Sequence, residues 1–200
     1  MALTAVPRPW ERGLVIFSHD TENSLLCMVD LVNSAPAADG AERLPDLDAL
    51  REFVVRHAVS GVPPLEESDL VAVRRLRDRI KPAFGSTSDA VAAARVNRLV
   101  AMARMTPRLT DHDGYAWHMH YFSPGASLAE HLAVDGGMAL AHVVASGERE
   151  RLRVCDAPDC DRVLVDLSRN RSKRYCDART CGNRLHVAAY RERRRAAGVG

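Results

Sequence analysis

Apolar positions along the first hundred residues recur with the three-to-four spacing of helices rather than the alternation of strands. From Thr21 to Asn33, the residues Leu25, Leu26, Met28, Val29, Leu31 and Val32 are dense enough for a nearly buried helix, with Cys27 inside the run as a small buried hydrophobe. The Pro/Ala/Gly-rich stretch Ser34–Pro45 reads as a loop. Asp46 then caps a second helix whose stripe is Leu47, Leu50, Val54 and Ala58, with His57 on the same stripe as a core residue. A third helix is expected from about Glu66 to Lys81. Its acidic first turn and basic last turn complement the helix dipole, so the run Arg74–Arg79 reads as a solvated face before it reads as a nucleic-acid contact. Ser86-Thr87-Ser88-Asp89 carries the capping signature of a fourth helix reaching Met105, with Val96, Leu99, Val100 and Ala103 inward.

After Pro107 the period changes to two. Tyr115, Trp117, Met119 and Tyr121 alternate with Ala116, His118, His120 and Phe122, which predicts a strand. Asp111-His112-Asp113-Gly114 has hairpin-turn chemistry, so Arg108–Thr110 is the expected partner strand. His118 and His120 share one face. An His-x-His pair can bind a metal, but no third ligand is placed by the pattern, and the simpler expectation is two exposed imidazoles. Ser127 starts a last body helix with Leu128, Leu132, Met138 and Val143 inward; Gly136-Gly137 is expected to break or bend it, and Gly147 to end it. The first eighteen residues, with Pro7, Pro9 and Gly13, read as a lead-in with a short strand at Leu14–Phe17.

The chain of 200 residues is 46% apolar and 27% charged, a globular balance. No window reaches the ~18 apolar residues of a membrane span, and the N-terminal run is interrupted by Arg8, Glu11 and Arg12, so a cytoplasmic protein with no membrane partner is expected. The net charge of +2 conceals a split: residues 1–150 carry −5 and residues 151–200 carry +7. That asymmetry suggests an anion-binding tail on an acidic body, with the division at 1–147 and 148–200.

The tail also holds four of the five cysteines, as Cys155-x4-Cys160, fifteen residues, and Cys176-x4-Cys181. Two such pairs bring four thiolates to one ion, and tetrahedral sulfur favours Zn2+ in a closed structural site; an iron–sulfur cluster would use the same ligands. Val163-Leu164-Val165 and the region around Tyr175 are the expected hairpin strands, with Asp166–Arg174 as their tip. Cys181 is expected to open a helix running to Arg193–Arg195, which makes the arrangement treble-clef-like. Fifty residues bury too little to fold alone, so the metal must supply folding energy. Arg169, Asn170, Arg171, Ser172, Lys173 and Arg174 at the tip mix fork-shaped cations with small donors, a combination suited to phosphate oxygens. Gly182 and Asn183 offer backbone N–H groups at a helix start, beside Arg184.

These tail residues resemble a known family. Cys181-Gly182-Asn183-Arg184, Ser168-Arg169-Asn170-Arg171-Ser172 and the paired C-x4-C are similar to the CGNR zinc finger over about Leu152–Arg195. Upstream, Leu25–Asn33 and the hairpin near Gly114 resemble the helical ABATE domain that usually precedes that finger. The resemblance implies zinc at Cys155, Cys160, Cys176 and Cys181, DNA as target, and a recognition or positioning role for Asn183 and Arg184. It implies a bacterial stress-induced transcription regulator. The fold expected is mainly α with a small β-hairpin, a helical N-terminal domain followed by a treble-clef-like zinc finger with four cysteine ligands. Two other readings remain open, an RNA- or ribosome-associated zinc protein and an adaptor binding the transcription machinery; self-association is open as well. With no Gly-rich phosphate loop, HExxH or nucleophile elbow, no enzyme is expected.

Overall fold

The computed structural model describes residues 17–36, 40–111 and 117–183. Most of the expected strand at Leu14–Phe17, the turn residues 112–116 and the chain from Arg184 onward lie outside the described residues. Five α-helices appear among the described residues of the body, α1 (His19–Asn33), α2 (Leu47–Arg56), α3 (Glu67–Ile80), α4 (Asp89–Val100) and α5 (Leu128–Ala145). Their starts follow local chemistry. Asp46, Ser88 and Ser127 each accept a backbone N–H of the first turn through the side chain, and Glu66 with Asp69 and Ser127 with Glu130 close reciprocal capping boxes.

α5 is the central helix. It packs against α1, α3 and α4 and underlies the hairpin of β1 (Met105–Thr110) and β2 (His118–Phe122). Gly136 and Gly137 do not break it. A Cβ at Gly136 would collide with Met28 Sδ, and one at Gly137 would stand 2.8 Å from Val100 Cγ2. The pair therefore lets α1 and α4 approach the helix closely, and that packing outweighs the glycines' low helix propensity. Gly147 does follow the helix end, with φ +71 and its N–H on Val144 O.

Four further expectations about the body are corrected. α4 stops at Val100, and β1 begins at Met105 rather than Arg108. Pro107 is accommodated because it lies where the pairing of Met105 with Phe122 and Arg108 with His120 is irregular, so its missing N–H breaks no regular ladder bond. In α2 the deeply buried pair is Leu50 and Phe53, while Ala58 leaves the helix at φ +48. The hairpin also turns the unexpected way round. Trp117 is 68% exposed, and the face turned toward α5 is that of His118, His120 and Phe122. The His120 imidazole finds a polar partner on α5 and His118 pairs with His120, which offsets the cost of their burial where the alternation alone would have put tryptophan inside.

Other body expectations hold. Cys27 is buried, and burial, reinforced by the charge of Asp30, pushes its thiol up to about 12, so it is inert. His57 packs on Phe53 and faces Asp30 at 3.2 Å without hydrogen-bond geometry. The basic run of α3, by contrast, departs from the expected solvated face: buried Arg77 grips Glu42 with two bonds of 2.9 Å, and half-buried Arg74 donates to Leu44 O. No helix among the described residues is long and apolar enough to cross a membrane.

After a 3₁₀ turn (Arg149–Arg151), β3 (Leu152–Val154) pairs antiparallel with β4 (Val163–Val165). This second hairpin corrects the expected pairing of Val163–Val165 with the Tyr175 region. The first cysteine pair is itself the loop of the hairpin, so its two strands flank that loop in sequence. β4 alternates between two cores: Val163 and Val165 enter the body's core, while Leu164 packs with Cys155 and Cys181. Asn33 at the end of α1 bonds the backbone of Val163 in both directions at 2.8 Å, and Gly85 N–H donates to Leu152 O at 2.9 Å. Hydrophobic packing and hydrogen bonds thus continue across residue 147.

Candidate metal centre and basic loop

The knuckle after β3 is a tight turn. Cys155 N–H donates to Arg162 O at 2.8 Å, Cys160 N–H donates to Ala157 O at 3.2 Å, and Asp159 takes φ +62. An aspartate tolerates that left-handed conformation better than a branched residue would. The returning segment is tied to the knuckle by Asp156 N–H on Arg174 O at 3.0 Å. A helical turn then carries the fourth cysteine, Ala178–Gly182. Asp177 caps it, its Oδ1 accepting from the N–H groups of Arg179 and Thr180, both at 2.7 Å. Those backbone bonds hold the Asp177 carboxyl below its ordinary range.

These loops bring four sulfurs together. The Sγ atoms of Cys160, Cys176 and Cys181 are 3.7–3.8 Å apart, and all four Sγ atoms lie within 4.8 Å of one another. A tetrahedral ion bonded to sulfur at about 2.3 Å requires sulfur–sulfur edges of about 3.8 Å. The donor set therefore fits such an ion. Cys155 Sγ also accepts the backbone N–H of Cys176 at 3.4 Å, a bond that favours thiolate and lowers this thiol against the effect of burial. Cys176 is pushed up, by burial first and then by the neighbouring sulfurs. Four thiolates cannot share this volume without a cation to offset their charge. Cys155 and Cys181 are buried and the other two are half-buried, so four sulfur ligands would leave no open coordination position.

The loop beyond β4 is organised by a residue that the sequence reading passed over. Asp166 is fully buried, and its carboxylate accepts from Ser168 N–H, Ser168 Oγ and Lys173 N–H. Arg151, also buried, donates to Glu148 and to the carbonyls of Asp166 and Ser168. Glu148 accepts Arg171 on its other oxygen. The Asp166-x-Ser168 spacing of an Asx-type turn was the local signal; the role of Glu148 and Arg151 had none, because it depends on a fold-back contact.

This scaffold displays Arg169, Asn170, Arg171, Ser172, Lys173 and Arg174, all exposed, on one loop. They are not equivalent. Arg171 is tied to Glu148 and Arg174 to Asp156 at 2.8 Å, whereas no described acidic residue pairs with Arg169 or Lys173. Asn183 is exposed beside the helical turn, and Arg184 and the arginines at 191–195 lie outside the described residues.

Two family models match the chain. One, ABATE, described as "Putative stress-induced transcription regulator", matches residues 27–147, and one for the CGNR zinc finger matches residues 151–194. No curated protein is similar enough to the chain to count as a relative.

Proposed function

Because the chain belongs to the ABATE family and carries a CGNR zinc finger after it, we propose that it is a zinc-dependent, DNA-binding transcription regulator. The observation that carries this reading is the exposed basic loop fastened to a four-sulfur centre of tetrahedral dimensions. Cys155, Cys160, Cys176 and Cys181 would hold the zinc, whose contribution is structural. Arg169 and Lys173 are the cations of the loop with no acidic neighbour to displace among the described residues, so they would meet phosphate first. Arg171 and Arg174 would add contacts at the cost of their present carboxylate partners, and Asn170 and Ser172 would donate short hydrogen bonds. Asn183 and Arg184 follow the last cysteine and Gly182; since the N–H groups opening the helical turn are already capped by Asp177 and that of Gly182 donates to Asp177 O, their side chains rather than a helix N-terminus would meet an anion. Contacts of this kind position the protein on a duplex without reading its sequence.

The test is duplex binding as a function of salt. About four neutralised phosphates give a slope near −4 of log K against log salt, at roughly −0.9 each. Lys173→Ala should weaken binding to every duplex alike and flatten the slope by about one unit. Arg171→Ala should change the slope less, since its guanidinium is already paired with Glu148. Tighter binding to single strands or RNA at the same salt, or a slope indifferent to Lys173, would overturn the DNA reading.

A further inference from the structure

The inward face of the hairpin and one face of α5 converge on a second group of metal-type donors, far in character from the cysteines. His120 comes from β2, and His131 and Asp135, one helical turn apart, come from α5. Asp135 Oδ2 lies 3.0 Å from His120 Nδ1 and 3.2 Å from His131 Nε2, and one donor atom from each of the three falls within 4.8 Å of the others. The side chains of His120, Asp135 and His131 are 12%, 17% and 6% exposed. An ion bound by nitrogen and oxygen at about 2.0–2.1 Å has ligand–ligand edges of about 3.0–3.4 Å. The two edges from Asp135 already stand at that spacing, and the third lies within 4.8 Å.

Their surroundings hold them there. Asp135 Oδ1 accepts the backbone N–H of Tyr121 at 2.9 Å, which orients the carboxylate. His118 Nε2 stands 3.1 Å from His120 Nε2, so the outer nitrogen of His120 has a hydrogen-bond partner while Nδ1 faces the cluster. Metal-bound histidines are typically fixed in this manner by their second nitrogen. Phe122 stacks on the His131 ring at 3.6 Å between centroids.

A cavity of about 590 Å³ opens onto the same side chains, with Trp117, His118, Tyr121 and His142 also in its wall. That volume lies within the range of small-molecule sites. We propose that His120, His131 and Asp135 form a second metal site in the helical body, one that takes a first-row divalent transition ion and leaves coordination positions open to a small anion in the cavity. Two imidazoles and a carboxylate suit zinc, nickel, cobalt or ferrous iron, and three protein donors leave at least one position for an exogenous ligand. The site is independent of the finger: it uses no cysteine, and it is open where a four-sulfur site is closed.

Cobalt tests the proposal on the full-length chain purified with its own zinc. Added Co2+ should bind as a further equivalent with weak visible bands and without the intense near-ultraviolet absorption of cobalt–thiolate bonds. Azide, used as the probe anion, should shift those bands. Asp135→Asn keeps an oxygen for the Tyr121 N–H, and His120→Gln changes a half-buried strand position; each should weaken the cobalt equivalent by about tenfold or more while zinc content and the helical circular dichroism at the assay temperature stay as in the wild type, even if the melting temperature falls. If Asp135→Asn unfolds, His120→Gln decides the matter. No further equivalent in the wild type, or one whose affinity and spectrum are the same in the folded variant, would overturn the site. Bands indifferent to azide would overturn its open position.

Discussion

The helical body and the finger hold their shapes by different means. The body's core draws on all five helices, from Leu25 in α1 to Val143 in α5, and buries leucine, valine and phenylalanine in a continuous mass. The finger's own cluster is Cys155, Ala157, Leu164 and Cys181, with Cys160, Tyr175 and Cys176 packed around it. So small a cluster cannot offset the conformational entropy of the loops it closes. What it lacks comes from two sides. Sulfur atoms at ion-binding distance lie on one side, and on the other Leu152, Val163 and Val165 are inserted into the body's core. The comparison teaches that the finger is half a domain. Its sulfur-lined face has the dimensions of an ion site, and its body-side face is packed into the helices.

The sharpest way to break this contrast is Cys176→Ser. Structural zinc in small fingers is worth about 10–16 kcal/mol of folding free energy, so losing a ligand should release zinc and open residues 166–183 to proteolysis. The helical circular dichroism of the body should persist. Collapse of the whole chain would mean that the body leans on the finger and not the reverse.

A smaller effect is expected at the polar hinge between the two. Glu148→Gln removes the charge that faces buried Arg151 and also releases Arg171. Breaking a buried ion pair from one side costs about 3–5 kcal/mol, and urea unfolding should register a loss of that order. Protease cutting within 166–174 should rise with zinc content unchanged, which separates the loop's anchoring from the metal's.

The mildest change sharpens the seam itself. Asn33→Ala deletes both hydrogen bonds between α1 and Val163 and leaves two backbone groups without those partners, at a cost of about 1–3 kcal/mol. Hydrogen exchange should accelerate at the Val163 amide while the amides of α1 keep their protection. Equal acceleration in both would show that α1 needs the finger's strand for its own stability.

Much of the fold was legible because it is dictated locally. Caps at Asp46, Ser88 and Ser127 act on N–H groups three residues away, and Leu25–Val32 buries a face that its own spacing defines. The four cysteines were legible for the same reason, since a C-x4-C loop brings its two sulfurs together by chain geometry alone. The tip loop was legible in composition but not in detail. Nothing near Arg171 or Arg174 in the chain announced that Glu148 and Asp156 would occupy them.

By itself, then, the sequence determined which segments are helices, where they begin, that β2 is a strand, and that four sulfurs converge in the tail. Only the tertiary structure decided which way β2 faces, which strand pairs with Val163–Val165, and whether Gly136-Gly137 breaks a helix. Each of those choices depends on what a distant segment presents. His120 turns inward because Asp135 and His131 on α5 supply the partners that a buried polar group requires, and His118 follows on the same face, bonded to His120. Val163 and Val165 join the body because Asn33 and the core around it await them. The two glycines stay helical because Met28 and Val100 fill the space that side chains would have taken. Local preferences are worth tenths of a kcal/mol to about one per residue, and the burial of a side chain or the pairing of a buried polar group is worth more.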